Sequence, residues 1–169
     1  QVAPEAVSRF RLGYAPDAWD DTVNWSRSKG WEPGLVEQAG LIVARDANDR
    51  GRGYYDRFRG RLMFPICDEQ GRIVAFSGRI LAGDEKVAKY LNSPETALFD
   101  KGRSLYNHGP AREACTKGKP LIVAEGYMDV IALSEAGFTA AIAPLGTAVT
   151  EDQLRMIWRI ADEPVIALD

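Results

Sequence analysis

The sequence predicts an α/β fold, α+β overall: a mixed α+β amino-terminal subdomain, residues 1–109, followed by a parallel βαβαβ unit, residues 110–169. Three observations predict it. First, Leu121-Ile122-Val123-Ala124-Glu125 and Pro164-Val165-Ile166-Ala167-Leu168-Asp169 are short apolar, β-branched runs that each end on a carboxylate. Second, helix-like and strand-like patterns alternate between them, as a parallel sheet with crossover helices requires. Third, residues 62–66 and 73–76 flank Asp68-Glu69-Gln70-Gly71, the pattern of an antiparallel hairpin.

Bulk composition sets the class. A chain of 169 residues, 46% hydrophobic and 27% charged, has the material for a real core in a soluble protein. No apolar run approaches the roughly 18 residues that span a bilayer. The start, Gln1-Val2-Ala3-Pro4-Glu5, lacks the basic and apolar regions of a signal peptide. Cys67, Cys115 and the single His108 have no ligand spacing, so the thiols read as unpaired residues of a reducing compartment. A cytoplasmic protein without membrane contact is expected. The net charge of −3 excludes a generally basic nucleic-acid binder. Its distribution is uneven: residues 1–44 balance at −2, 45–103 at +3 and 104–169 at −4. That separation fits one part gripping phosphates and another holding cations, and equally a solvated surface.

In chain order, Arg9-Phe10-Arg11-Leu12-Gly13-Tyr14 alternates as a half-buried strand does, stopped by Ala15-Pro16. Asp17 is placed to cap a helix running through Lys29, with Trp19 and Val23 on its buried face and Gly30 past its end. Trp19 and Trp25 read as packing residues. Pro33 opens a second short helix, Gly40 closes it, and Leu41-Ile42-Val43 follows as a strand. Residues 45–61 interleave Arg45, Arg50, Arg52, Arg57, Arg59 and Arg61 with Tyr54, Tyr55 and Phe58. That is the composition of a single-strand nucleic-acid groove, or of a solvated loop whose aspartates pair the charges. Pro65 puts its strand at an edge or bulge. Residues 82–85 are a polar loop, residues 89–96 look too polar for core, and residues 106–110 read as the joint between subdomains. Further on come helices at 111–115 and 127–136, a strand at 140–143, and a capping box, Thr150-Glu151-Asp152-Gln153. The box opens a helix with Leu154, Ile157 and Trp158 on one face.

In such sheets ligands bind outside the carboxyl ends of the strands. Glu125 and Asp169, 44 residues apart, occupy like ends of the first and third strands of the unit. With no His or Cys beside them, they suit a hard, oxygen-seeking cation such as Mg²⁺. Carboxylates so placed hold metal ions for an in-line displacement at phosphorus. Asp129, one turn into the next helix, is either an outer partner of that site or a charge stabilising the helix start. A phosphoacceptor domain gathers acids at strand ends too.

These residues carry a resemblance. Val123-Ala124-Glu125-Gly126-Tyr127-Met128-Asp129-Val130 is similar to the glutamate motif of Toprim domains in bacterial DnaG-type primases. Tyr55-Asp56-Arg57-Phe58-Arg59-Gly60-Arg61-Leu62-Met63-Phe64-Pro65-Ile66, Phe76-Ser77-Gly78-Arg79 and Lys89-Tyr90-Leu91-Asn92-Ser93-Pro94-Glu95-Thr96 resemble the same family's catalytic core. So does Phe99-Asp100-Lys101-Gly102-Arg103-Ser104-Leu105-Tyr106. The matches extend from about Phe10 to Asp169.

The resemblance implies synthesis of short RNA primers on single-stranded DNA from ribonucleoside triphosphates, by nucleotidyl transfer with Mg²⁺ or Mn²⁺. Glu125 then matches the Toprim glutamate, a metal-site and acid–base residue, and Asp169 the first aspartate of Asp-x-Asp. Arg79, Lys89, Asn92 and Lys101 match the groove that handles template and nucleotide phosphates; Tyr90 either lines that groove or packs beneath it. The replicative helicase and single-strand-binding protein are expected as partners through regions absent here. The second aspartate, the zinc ribbon and the helicase-binding domain are not in the sequence, and no four-residue Cys/His set exists to hold zinc. The chain thus reads as a fragment of a polymerase domain. Two alternatives stay open: another Toprim enzyme (topoisomerase or nuclease), or a fragment that binds single strands without synthesis.

Overall fold

The computed structural model describes residues 2–46, 53–81, 88–146 and 149–168. Its elements in chain order are α1 (Pro4–Arg9), β1 (Gly13–Ala15), α2 (Asp21–Ser28), α3 (Pro33–Gln38), β2 (Ile42–Ala44), β3 (Tyr54–Asp56), β4 (Arg61–Cys67), β5 (Ile73–Ile80) and β6 (Tyr90–Asn92). A 3₁₀ turn at Lys101–Arg103 leads to β7 (Leu105–Tyr106), α4 (His108–Thr116), β8 (Ile122–Ala124), α5 (Tyr127–Glu135), β9 (Ala141–Pro144), α6 (Glu151–Trp158) and β10 (Val165–Ala167). The chain forms two compact units. Unit 1 comprises Gln1–Arg11, Pro65–Val74 and Phe99–Asp169; unit 2 comprises Leu12–Phe64 and Ala75–Leu98. Among the described residues no helix is long and apolar enough to cross a membrane.

Unit 2 is mixed α+β. Its hairpin strands β4 and β5 lie between β1 and β6 in one sheet, and β2 pairs with β3 in another. β4 is therefore an interior strand. Pro65 is tolerated because β1 pairs β4 only from Arg61 to Met63, leaving one flank open beyond. The polar stretch after Lys89 is not loop alone: β6 pairs Ser77 with Asn92 and Arg79 with Tyr90 at the sheet edge. Ser93 beyond it is buried and accepts the Phe76 N–H at 2.9 Å. Gly78 is required here, since a Cβ would stand 2.9 Å from the Arg61 side chain. Arg61 is buried across the strand and donates to the Gly78 carbonyl at 3.0 Å. Burial, and then the charge of Arg59, holds its guanidinium below the usual arginine value.

Helix α2 starts at Asp21, and Asp17 does not cap it. The carboxylate of Asp56, on β3, accepts the N–H groups of Thr22 at 2.7 Å and Val23 at 3.0 Å. A buried acid from a distant strand thus satisfies donors that a local cap would otherwise take. Val23 is buried, as expected, and packs with Val36 and Ile42. Trp19 lies ahead of the helix and is 57% exposed, and Trp25 is exposed too, so neither is a core residue.

Unit 1 carries the parallel unit, in the strand order β10-β8-β9-β7. β8 pairs in parallel with both β9 and β10, and β7 closes the far edge antiparallel to β9. Tyr106, read as the start of a joint, is thus part of the sheet. Leu105, Leu121, Val123, Ile142 and Ile157 form its core. The capping box of α6 is present: Thr150 Oγ1 accepts the Gln153 N–H at 3.1 Å, and Gln153 Oε1 accepts the Thr150 N–H at 3.0 Å. Its buried face differs from the expected one. Ile157 is buried and Trp158 exposed, while Gln153 is 1% exposed and donates to the carbonyls of Lys101 and Ser104. The alternation at residues 9–14 is likewise not a single strand. Pro4 starts α1, which runs to Arg9, and only residues from Gly13 pair in a sheet.

Candidate active site

The parallel register fixes where Glu125 goes. Ala167 of β10 stands opposite Ala124 of β8, so the residues that follow leave the sheet at the same edge. Glu125 is the first of them on β8 and is exposed. α5 begins two residues later, so Glu125 stands beside the start of a helix dipole. Asp129 accepts the Gly126 N–H at 3.0 Å, which caps α5 and fixes the carboxylate. Glu125 and Asp129 line one open cavity of about 370 Å³ together with Ala124, Leu133 and Ala167. Asp169 lies outside the described residues.

Two exposed carboxylates on a rigid strand–helix junction are hard oxygen donors and fit a Mg²⁺-type cation, which keeps several waters and takes few protein ligands. Among the described residues no three His, Cys, Asp or Glu side chains gather around one point.

Four of the five predicted phosphate-groove residues come together in unit 2, on the β5–β6 edge. Arg79 lies opposite Tyr90, its guanidinium carbon 6.0 Å from the ring centroid. Among the described residues the buried Nε of Arg79 has no hydrogen-bond partner. Lys89 is exposed just before the strand, and the Asn92 carbonyl accepts from Arg57 at 3.0 Å. Burial lowers the Arg57 pKa from its ordinary value. Lys101 belongs to unit 1, where its backbone carbonyl accepts from Gln153.

Sequence reasoning placed Arg45, Arg59 and Tyr55 in one basic, aromatic stretch but left Trp19 out of it. Arg59 stands 4.0 Å over the exposed Trp19 ring and 5.3 Å from Tyr55. Arg45 lies 5.8 Å and 5.5 Å from the same two rings. The Arg59 guanidinium also donates to the Asp56 carbonyl. Arginine over exposed aromatic faces is the arrangement on which unpaired bases stack. What hid Trp19 was its apparent place on a helix face.

A family model for the DNA primase catalytic core, N-terminal domain, matches residues 1–112, and one for the Toprim domain matches residues 119–169. The DNA primase of Deinococcus radiodurans is 44% identical over 99% of this chain, and that of Synechococcus elongatus 47% identical over 100%. The chain spans 28% and 24% of those relatives, about a quarter of each. Among solved structures, a DnaG primase catalytic domain bound to single-stranded DNA superposes with a TM-score of 0.84 at 41% identity. That likeness covers 98% of this chain and 51% of the other. Toprim domains in general bind divalent cations.

Proposed function

This chain belongs to the DNA primase catalytic-core family, and from that premise we propose that it is the part of a primase carrying the glutamate of metal-assisted nucleotidyl transfer. The whole protein would join ribonucleoside triphosphates into short RNA primers on single-stranded DNA in the bacterial cytoplasm. One observation carries this reading: Glu125 stands at the carboxyl end of an interior parallel strand, beside the strand that leads to Asp169.

Glu125 and Asp169 would hold the cation, with Asp129 as an outer partner kept in place by the Gly126 N–H. Mg²⁺ or Mn²⁺ bound there would neutralise charge developing on the phosphoryl oxygens. Glu125 also serves as the acid–base residue near the primer hydroxyl. Arg79, Lys89 and Lys101 take template or nucleotide phosphates, and Asn92 and Tyr90 shape the groove. The single-stranded DNA named with the related catalytic domain supports a single-stranded template for this chain. Helicase and single-strand-binding protein would engage other parts of the whole protein.

A second reading, single-strand binding without synthesis by this stretch alone, is favoured by the exposed Trp19–Arg59 pair. Templated RNA synthesis separates the two. This chain is compared with one carrying its natural downstream residues, each also as Glu125→Gln. Synthesis only by the extended, unmodified chain supports the catalytic reading. An extended chain that binds DNA yet makes no RNA with Mg²⁺ or Mn²⁺ sinks it.

A further inference from the structure

The basic stretch at residues 45–61 ends on an arginine that solvent barely reaches: Arg61 is 6% exposed. Among the described residues it forms no ion pair. Its partners are main-chain carbonyls. From β4, its Nη1 donates to the Gly78 carbonyl on β5 at 3.0 Å. The same nitrogen reaches the Ala88 carbonyl at 3.1 Å and the Lys89 carbonyl at 3.5 Å, on the residues that lead into β6. β5 lies between β4 and β6, so the side chain crosses a whole strand. Two strand spacings are about 10 Å, which calls for a long side chain with donors at its tip.

Gly78 opens the crossing. A Cβ there would stand 2.9 Å from the Cδ of Arg61 and 3.0 Å from the ring of Phe58. Gly78 does not have a positive φ, so room for Arg61, and not backbone conformation, calls for glycine at this point of β5.

What Arg61 grips is a short edge strand. β6 has 3 residues, and a strand of that length has few ladder bonds to fix it. At its start the Ile80 N–H donates to the Lys89 carbonyl at 3.0 Å, and past its end the Ser93 N–H donates to the Phe76 carbonyl at 2.8 Å. Guanidinium groups reinforce both ends. Arg61 takes the carbonyls of Ala88 and Lys89, and Arg57 donates to the Asn92 carbonyl from Nε at 3.3 Å and Nη2 at 3.0 Å. The exposed Lys89 side chain therefore springs from main chain that Arg61 holds.

We propose that Arg61 is a positioning residue for single-stranded nucleic acid: by crossing Gly78 to the Ala88 and Lys89 carbonyls it sets Lys89 to meet a phosphate of the strand, and it touches no phosphate itself. The proposal rests on the groove reading of Lys89 given above. Lysine carries its charge on a flexible four-carbon stem, so ordering it on a phosphate costs entropy. Fixing the main chain from which the stem starts removes part of that cost before the strand arrives. Arg61 could reach a phosphate only by leaving carbonyls that would then lose a charged donor.

Two variants separate position from charge. Arg61→Met keeps an unbranched side chain and removes its donors, whereas Gly78→Ala keeps the charge and pushes the side chain off its path. The chain with its natural downstream residues is titrated with a labelled oligothymidylate over a range of NaCl concentrations, well below each variant's unfolding midpoint. Each change should weaken binding by roughly threefold or more and flatten the salt dependence as Lys89→Ala does. In the Lys89→Ala background both should be nearly silent. Amide exchange should quicken at Ile80, whose acceptor is the Lys89 carbonyl, while Ser93 at the other end keeps its protection. Losses that multiply with that of Lys89→Ala would show Arg61 acting on the strand directly and overturn the proposal. So would a silent Gly78→Ala, or exchange that rises equally at Ile80 and Ser93, the mark of a plain loss of stability. A Lys89→Ala that binds as tightly as the unmodified chain sinks the groove reading and this proposal with it; an effective Lys89→Ala beside multiplying losses sinks the proposal alone.

Discussion

The two units place charge by opposite means. In unit 1, Glu125 and Asp129 are set by the main chain: a parallel strand ends, a helix starts, and one backbone N–H fixes the second carboxylate. In unit 2, Arg45, Arg59 and Arg79 are set by the faces of Trp19, Tyr55 and Tyr90. Charges fixed by backbone keep their position when a neighbouring side chain changes. Charges fixed by stacking do not, but they can slide along a flexible strand of nucleic acid. Chemistry at phosphorus demands the first arrangement, and tracking an irregular backbone favours the second.

The largest effect should come from Glu125. In a chain with its downstream residues, Glu125→Gln should lower primer synthesis by roughly 10²–10³-fold, the scale of losing a group that meets developing charge. Because Glu125 is exposed, its melting temperature should stay put; a large drop would show that the residue supports the fold instead.

Helix starts sharpen the contrast between local and distant control. Asp56→Ala removes a buried carboxylate that accepts two N–H groups and should cost about 2–4 kcal/mol in denaturant unfolding. Hydrogen exchange should quicken first at Thr22 and Val23. Thr150→Ala removes a local cap and should cost about 1 kcal/mol, with faster exchange at Gln153. Equal losses for the two would erase the distinction.

Arg59→Ala should have the smallest effect. Single-strand affinity should fall by about 0.5–1 kcal/mol and the salt dependence should flatten by somewhat less than one counterion. If affinity falls while the salt slope is unchanged, Arg59 orders Trp19 and touches no phosphate.

What was legible in the sequence was whatever depends on neighbours in sequence. The α6 capping box and Gly137 at the end of α5 sit within a few residues of their partners, and β8 and β10 announce themselves as apolar runs although they pair with each other from distant stretches of the chain. Glu125 was legible because the end of a strand and a recognisable motif coincide there. Other features depend on residues far along the chain. Asp56 caps a helix 33 residues before it, which no window around Asp17 or Asp20 reveals. Gln153 owes its burial to the carbonyls of Lys101 and Ser104, so polarity alone mislocated the inner face of α6. At Arg9–Tyr14 a helix end, a left-handed Arg11 and a three-residue strand together imitate one alternating strand.

The interleaving of the two units along the chain has a consequence for biosynthesis. All of unit 2 lies between residues 12 and 98, whereas unit 1 takes its pieces from the beginning, the middle and the last third. A ribosome that has released Leu98 has delivered every residue unit 2 needs. The parallel sheet waits until Val165–Ala167 emerges, and α1 and the hairpin turn are held without their partners meanwhile. Translation therefore delivers the unit that carries Trp19, Arg45 and Arg59 before the unit that carries Glu125 is complete.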